Sequence, residues 1–341
     1  MTVRRRKQMC LAVRLPGAGS VTAYAGPRAT YAGPRGKSPL ALPAFEHLAR
    51  TAERGRFDFL FLSGGPRPEP VTVLSALAAV TERVGLAATV DATRTEPYDL
   101  ARRLATLDHL SGGRAAWHVA TSRDQADRYG RATELVATAQ ELWDTWTPDG
   151  ASRPFAHRGA HFDIAGEFGV PRSPQGHPVV IHAGDSDECR EFAASTADVL
   201  LGRHGSPEAG RAFYADVKRR LATYGRAPDD LKIMAGVTVV LGDTTTGARE
   251  RELSVRRSVS GAGGGHFLVG TPESVAAELD ALVRDDAADG FVLLPYLAPG
   301  GLDEFVDRVV PLLQERGAFR TEYTGATLRS HLGLHAPAGK G

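Results

Sequence analysis

Strand-like and helix-like runs alternate eight times along this chain, and that rhythm limits the fold more than any single motif does. The strand-like runs are Met9–Leu15, Phe57–Leu62, Val84–Val90, Ala115–Ala120, Val179–His182, Val199–Leu201, Lys232–Leu241 and Phe291–Leu294. Helix-like runs separate them, among them Pro43–Gly55, Pro70–Arg83, Ala132–Trp146, Asp187–Ser195 and Ala209–Tyr224, and Leu302–Arg316 closes the series. Parallel strands joined through helices need right-handed crossovers. Eight such units predict an α/β fold, the (β/α)8 TIM barrel, as a single domain over residues 1–341. The alternative, a doubly wound open sheet, lacks support because no Gly-x-Gly-x-x-Gly follows the first strand. Three stretches break the rhythm: 16–42, with its near-repeat YAGPRAT and YAGPRGK; 149–178, with a small hairpin around His161–Ile164; and the Gly-rich 256–268.

The segment Pro97–Ser122 shows the unit most clearly. Leu100, Leu104, Leu107 and Leu110 recur at helical spacing, which predicts one apolar stripe. Ser111-Gly112-Gly113 then ends the helix, a glycine supplying the left-handed backbone common after a C-terminus. Ala115 to Ala120 follows as a mostly apolar strand, and polar Thr121, Ser122 and Arg123 come where it emerges. In parallel α/β folds, ligands are met at the carboxyl ends of strands.

Composition bounds the function classes. The 341 residues are 42% hydrophobic and 24% charged, enough to bury a large core. A net charge of +1 offers no electrostatic argument for nucleic acid or an anionic membrane. The run Arg4-Arg5-Arg6-Lys7 precedes too short an apolar stretch for a secretory leader, and no apolar run reaches the roughly 18 residues of a membrane span. Cys10 and Cys189, far apart, fit a reducing cytoplasm better than a disulfide framework or a metal knuckle.

Several residues at strand ends are chemically suggestive. Ala183-Gly184-Asp185-Ser186-Asp187 offers a close-approach glycine, a hydroxyl and a helix start, the ingredients of a phosphate site. Ser186 read alone is a helix cap. Tyr129 read alone is half-buried packing, and Arg123 is either a phosphate contact or a solvated cation. His118 and His182 sit late in their strands, where an imidazole can act as general base near neutral pH. Strand alternation leaves open for each a place under a helix instead. Two histidines without a third ligand do not predict a metal site. Asp108-His109 cannot form a dyad, because adjacent helix residues point apart. Trp143 and Trp146 read as core and rim of their helix.

The motifs LDHLSGGR and AAWHVATS, together with FEHLARTAERGRFDFLFL, HRGAHFDIAGEFGVPRSPQGHPVVIHAG and the stretch Gly270–Leu334, also carry a resemblance. The chain resembles the bacterial-luciferase-like flavin monooxygenases, in the branch of nitrilotriacetate and dibenzothiophene-sulfone monooxygenases and pristinamycin synthase. The resemblance implies a (β/α)8 barrel and FMNH2 delivered by a separate flavin reductase. It implies O2 as co-substrate, and a C4a-peroxyflavin that oxidises a small organic substrate or natural-product intermediate. By the same resemblance Ser186 and Tyr129 contact the FMN phosphate, and the protein, cytoplasmic by its cysteine usage, is a homo-oligomer. Departures from the family pattern accompany it. Relatives read FLAD where this chain has Phe61-Leu62-Ser63-Gly64, which puts Gly64 at a ring-side contact. They read roughly STT where it has Asp91-Ala92-Thr93, with Thr93 at the cofactor. Their histidine four residues before the tyrosine falls on Gln125, their strand-four asparagine on His118, and the glutamine before AGxS on His182. The chain is shortened between Ser122 and Tyr129. An F420-dependent oxidoreductase on the same barrel, or a flavin-free ligand-binding pseudoenzyme, are the rival readings.

Overall fold

The computed structural model describes residues 7–15, 42–63, 68–122, 127–147, 150–258, 266–294 and 300–337. Among the described residues the strands in chain order are β1 (Cys10–Leu15), β2 (Phe59–Leu62), β3 (Gly85–Asp91), β4 (Ala115–Ala120), β5 (Phe155–Arg158), β6 (Asp163–Gly166), β7 (Val179–Ala183), β8 (Val199–Gly202), β9 (Lys232–Leu241), β10 (His266–Gly270) and β11 (Gly290–Leu293). The chain divides into two compact units.

The first unit comprises Met1–Leu62, Leu201–Asp216 and Lys232–Tyr323. Its strands run parallel in the order β10–β9–β11–β1–β2. Their side chains are buried on both faces along β2 and β11, which is why these strands read as unbroken apolar runs. Asp58, fully buried just before β2, accepts from the Leu11 amide at 2.7 Å and from the Arg320 guanidinium at 2.5 Å. Strand β10 is a departure from the expected pattern. His266–Gly270 pairs with Val237–Leu241, while Met234–Val237 of the same long β9 pairs with β11. The glycines before it and its length of 5 residues concealed it, since so short a run carries no readable period. The excursion expected over 256–268 is correspondingly narrower, because a helix runs to Ser258 and the strand begins at His266.

The second unit comprises Ser63–Leu200, Val217–Leu231 and Thr324–Gly341. Here β3, β4 and β7 are neighbours in that order, and Thr89 pairs with His118, His118 with Ile181. The expected small hairpin is present as antiparallel β5 and β6. The helix Pro97–Ser111 buries Leu100, Leu104 and Leu107, each contributing about 2 kcal/mol of apolar burial. Leu110 does not join them and is 66% exposed. At 100° per residue it lies about 80° off Leu100 around the helix, and Ala101, Ala105, Asp108 and Ser111 complete the buried face instead. Gly112 ends the helix at φ 67°, as its position predicts.

The residues around that glycine lock the amino end of β4. Asp108, fully buried, accepts from the Ala115 amide at 2.8 Å, the Gln175 amide nitrogen at 2.6 Å and the Ser173 hydroxyl. Arg114, 3% exposed, donates to the carbonyls of Ser111, Val84, Thr81 and Ala78 and to the Thr81 hydroxyl. His109 points away to the Pro171 carbonyl at 3.0 Å. The motif that most marks the sequence is therefore a fastening for strand and helix.

Candidate functional site

At the carboxyl ends of β3, β4 and β7 the two faces of the strands differ. One face presents Thr89, Asp91, His118, Ala120 and Ala183, all partly or fully exposed. The other presents Val90, Val119 and His182, at 8%, 0% and 2% exposure. Side chains alternate along a strand, and paired residues of parallel neighbours share a face. His118 pairs with Ile181, so His182 is on the opposite side from His118. The structure separates the two histidines that sequence reading left together.

On the open face, the Thr89 hydroxyl and His118 Nδ1 are hydrogen-bonded at 3.1 Å. Asp91 ends β3 and ties the next loop to the end of β4. Its Oδ1 accepts from the Thr93 amide at 2.9 Å and the Thr93 hydroxyl at 2.5 Å, and its Oδ2 accepts from Ser122 at 3.0 Å. Burial works against the charge, but the Thr93 and Ser122 bonds and nearby Arg94 outweigh it and hold the carboxyl below its ordinary range. Asp91 and Ser122 are the residues that sequence reading left out of the site. The signal was an ionisable side chain as the last residue of a strand.

On the helix side, His182 donates from Nδ1 to the Val119 carbonyl at 2.9 Å, which fixes its tautomer. Its Nε2 is buried and has no hydrogen-bond partner among the described residues. Burial lowers its pKa to about 4, so the ring is neutral. The ring stands edge-on to Phe192 at 4.7 Å and to Tyr129 at 5.8 Å between centroids. Arg128 lies over the Tyr129 ring at 5.0 Å.

Two residues on, Gly184 has φ 150°, and a Cβ there would meet Cys189 Sγ at 2.8 Å. Only glycine fits this turn without strain. Ser186 caps the helix Asp187–Thr196, its oxygen accepting from the Cys189 amide at 3.3 Å. Glu188, fully exposed, is held below the usual carboxylate range by a first-turn backbone amide and by the Ser186 hydroxyl. Cys189, beneath the turn, is pushed up to about 12 by burial and is not a reactive thiolate.

Thr93, His118, Tyr129, His182, Gly184 and Ser186 thus fall at one end of the second unit, divided between two faces. Gly64, Arg123 and Gln125 lie outside the described residues. Trp143 and Trp146 are structural, donating to the carbonyls of Ala101 and Phe168. His157 sits between Glu134 and Glu141, and His161 against Asp127, where they fasten the hairpin to the helix Arg128–Trp143. Among the described residues no group of three His, Cys, Asp or Glu side chains is arranged to hold a metal ion, and no helix is long and apolar enough to cross a membrane.

Two clefts of about 450 and 560 Å³ lie at the opposite, amino ends of these strands. Their arginines are held by a carboxylate and by backbone carbonyls. Arg329 holds both oxygens of Asp198 at 3.0 and 2.9 Å, and Arg226 donates to the carbonyls of Ala194, Ala197 and Asp230. Volume alone does not make either a site.

Residues 19–266 match the family model for luciferase-like monooxygenases. The chain is 33% identical to the N-acetyl-S-(2-succino)cysteine monooxygenase of Bacillus subtilis, over 98% of this chain and 99% of that protein. It is 34% identical to the dibenzothiophene-sulfone monooxygenase of Rhodococcus erythropolis, over 86% and 90%. The solved EDTA monooxygenase of Chelativorans sp. BNC1 superposes with a TM-score of 0.84 at 27% identity, covering 96% of this chain and 99% of that one. The fold is accordingly the (β/α)8 TIM barrel read from the strand rhythm. Motifs, fold and relatives agree, and the chain belongs to the luciferase-like monooxygenase family of oxidoreductase enzymes.

Proposed function

We propose that this chain is the oxygenase component of a two-component, FMN-dependent monooxygenase acting on a small organic molecule. The observation that carries the reading is the turn Gly184–Ser186, which leads into the helix Asp187–Thr196 beside Tyr129 and Arg128. A glycine that lets backbone approach closely, and a serine hydroxyl, a first-turn amide and a nearby guanidinium as donors, are what a phosphate ester requires. The first two donors are ones that the exposed Glu188 carboxylate would yield to it. The buried, unpartnered Nε2 of His182 beneath Tyr129 is a further sign of a ligand at this end. These residues fit the phosphate of FMN. Ser186, Tyr129, Arg128 and the helix amides would hold it, and His118 lies on the open face available to the rest of the cofactor, with Thr93 buried behind Asp91 at its rim.

Reduced FMN, supplied by a separate reductase, provides with O2 the oxygen-transfer chemistry when bound. The protein's own residues bind, orient and protect. His118, anchored through Thr89, holds or moves a proton at the open face. Asp91, ionised at neutral pH, keeps Thr93 and Ser122 fixed at the rim.

Anaerobic titration of the purified chain with FMNH2, followed by rapid mixing with oxygenated buffer, tests the reading. A saturable complex whose reoxidation differs from that of free flavin is the expected result. Reoxidation indistinguishable from buffer overturns it. His118→Ala is expected to lower turnover about 100-fold while leaving FMNH2 affinity within about threefold.

A further inference from the structure

We propose that docking of a phosphate ester at the Gly184–Ser186 turn is coupled to uptake of one proton by Nε2 of His182. The inference deepens the FMN reading and rests on it.

The geometry comes first. His182 precedes the turn by two residues and belongs to the buried face of β7. Because Nδ1 already donates to the Val119 carbonyl, the second nitrogen carries a lone pair and can only accept. Nothing among the described residues donates to it. A buried acceptor without a donor is rare in native proteins and calls for an explanation. Its ring is enclosed by Tyr129 and Phe192, which also touch each other with centroids 5.7 Å apart. Tyr129 belongs to the first turn of one helix; Phe192 belongs to the helix that Ser186 caps.

The surrounding charges set the direction. From β4 the ring meets the Val119 carbonyl. The helix Arg128–Trp143 brings Tyr129 with Arg128 over it. The helix Asp187–Thr196 brings Phe192, with Asp187, Glu188, the neutral Cys189 and Arg190 at its start, and Asp185 lies in the loop before it. Among the described residues no carboxylate is hydrogen-bonded to His182, and burial keeps the imidazole neutral. A phosphate dianion beside the turn changes both conditions. Its charge favours imidazolium, and protonation converts Nε2 from an acceptor, which repels the anion, into a donor that holds Tyr129 and ligand together. The proton comes from solvent, so the balance is one dianion and one proton bound per site. His182 is thus a positioning residue that charges when the site fills.

The test is calorimetric. Reduced FMN is titrated anaerobically into the full chain at about pH 7, where the phosphate is mostly a dianion, in phosphate-free buffers of differing ionisation enthalpy. Uptake of about one proton per site is expected. Reduced riboflavin, which has no phosphate, is expected to show none. Affinity for FMN is expected to weaken from about pH 7 upward, by up to about tenfold per unit while the pH stays below the pKa of the bound imidazole, and to level off above it. His182→Gln keeps an amide donor that does not titrate, so it is expected to bind FMN without proton uptake and with a flat pH profile. FMN binding without proton uptake by the unaltered chain overturns the inference while leaving the FMN reading intact. Undiminished uptake in His182→Gln overturns the assignment to this residue, and the unaltered chain alone decides the linkage if that variant does not fold. Failure of reduced FMN to bind overturns both readings.

Discussion

The two ends of the strands in the second unit are built on opposite principles. At the amino ends the buried charges described above have partners. Asp108 meets three donors, Arg114 meets a ring of carbonyls, and Asp144 takes Arg172 at 2.6 Å and His177 at 3.0 Å. Paired in this way, Asp144 stays below its ordinary range despite burial. At the carboxyl ends Asp91 is paired as fully, with Thr93 and Ser122, but a buried ring nitrogen is left over. His182 has an unanswered Nε2 among the described residues, Gly184 adopts a backbone that other residues avoid, and the open faces of β3 and β4 carry a hydroxyl, a carboxylate and an imidazole. Saturated polar groups stabilise, and unsatisfied ones await something. In a parallel barrel this is the division between a stabilising face and a reactive one.

Substitutions test the contrast between the ends, and the largest stability effect is expected at the amino end. Asp108→Ala leaves the Ala115 amide, the Gln175 amide and the Ser173 hydroxyl buried without their acceptor, at a cost of about 4 kcal/mol in urea unfolding. FMNH2 affinity of the folded fraction is expected to be unchanged; a stability near that of the unaltered chain removes the distinction between the ends.

His182 sharpens the contrast through pH. Its folded pKa of about 4 lies below the ordinary 6.5, so the unfolded chain binds the proton more tightly. Stability from this group is complete above pH 6.5 and is lost as pH falls toward 4, by about 3 kcal/mol. Unfolding midpoints at pH 7.5 and 4.5 are expected to differ by less in His182→Gln, and an unaltered difference would show that the ring is not the source.

Gly184→Ala forces a Cβ against Cys189 Sγ at positive φ. About 2 kcal/mol of stability is expected to go, with FMNH2 affinity falling more than stability alone accounts for. Adding Cys189→Ala should restore part of it by making room. Ser186→Ala is the mildest change, about 1 kcal/mol for the lost cap, measurable by thermal unfolding without ligand. If it has no effect on FMNH2 binding, Ser186 is a cap and nothing more.

Much of this was legible in the chain because local chemistry produced it. Gly112 was readable as the end of a helix, Ser186 as the start of one, and the buried leucines 100, 104 and 107 as a stripe, since each depends on a few consecutive residues. Leu110 misled because spacing by three drifts around a helix of 3.6 residues per turn. Strand β10 was missed because 5 residues after a glycine-rich run hold no period to read.

The site was readable in kind and not in arrangement. Sequence alone determined that His118 and His182 stand near strand ends, and that a glycine and a serine precede a helix. Periodicity of two tells which residues of one strand share a face, but not which face meets the helices. Only the register of β4 against β7 turned His118 to the open side and His182 beneath Tyr129 and Phe192. Asp108 likewise found Ser173 and Gln175, 65 and 67 residues away, through packing that no local pattern encodes. Backbone preference acts over a few residues, and so it is written in the sequence as motif and period. The pairing of charges and the orphaning of one imidazole depend on distant segments meeting, and those the tertiary structure decided.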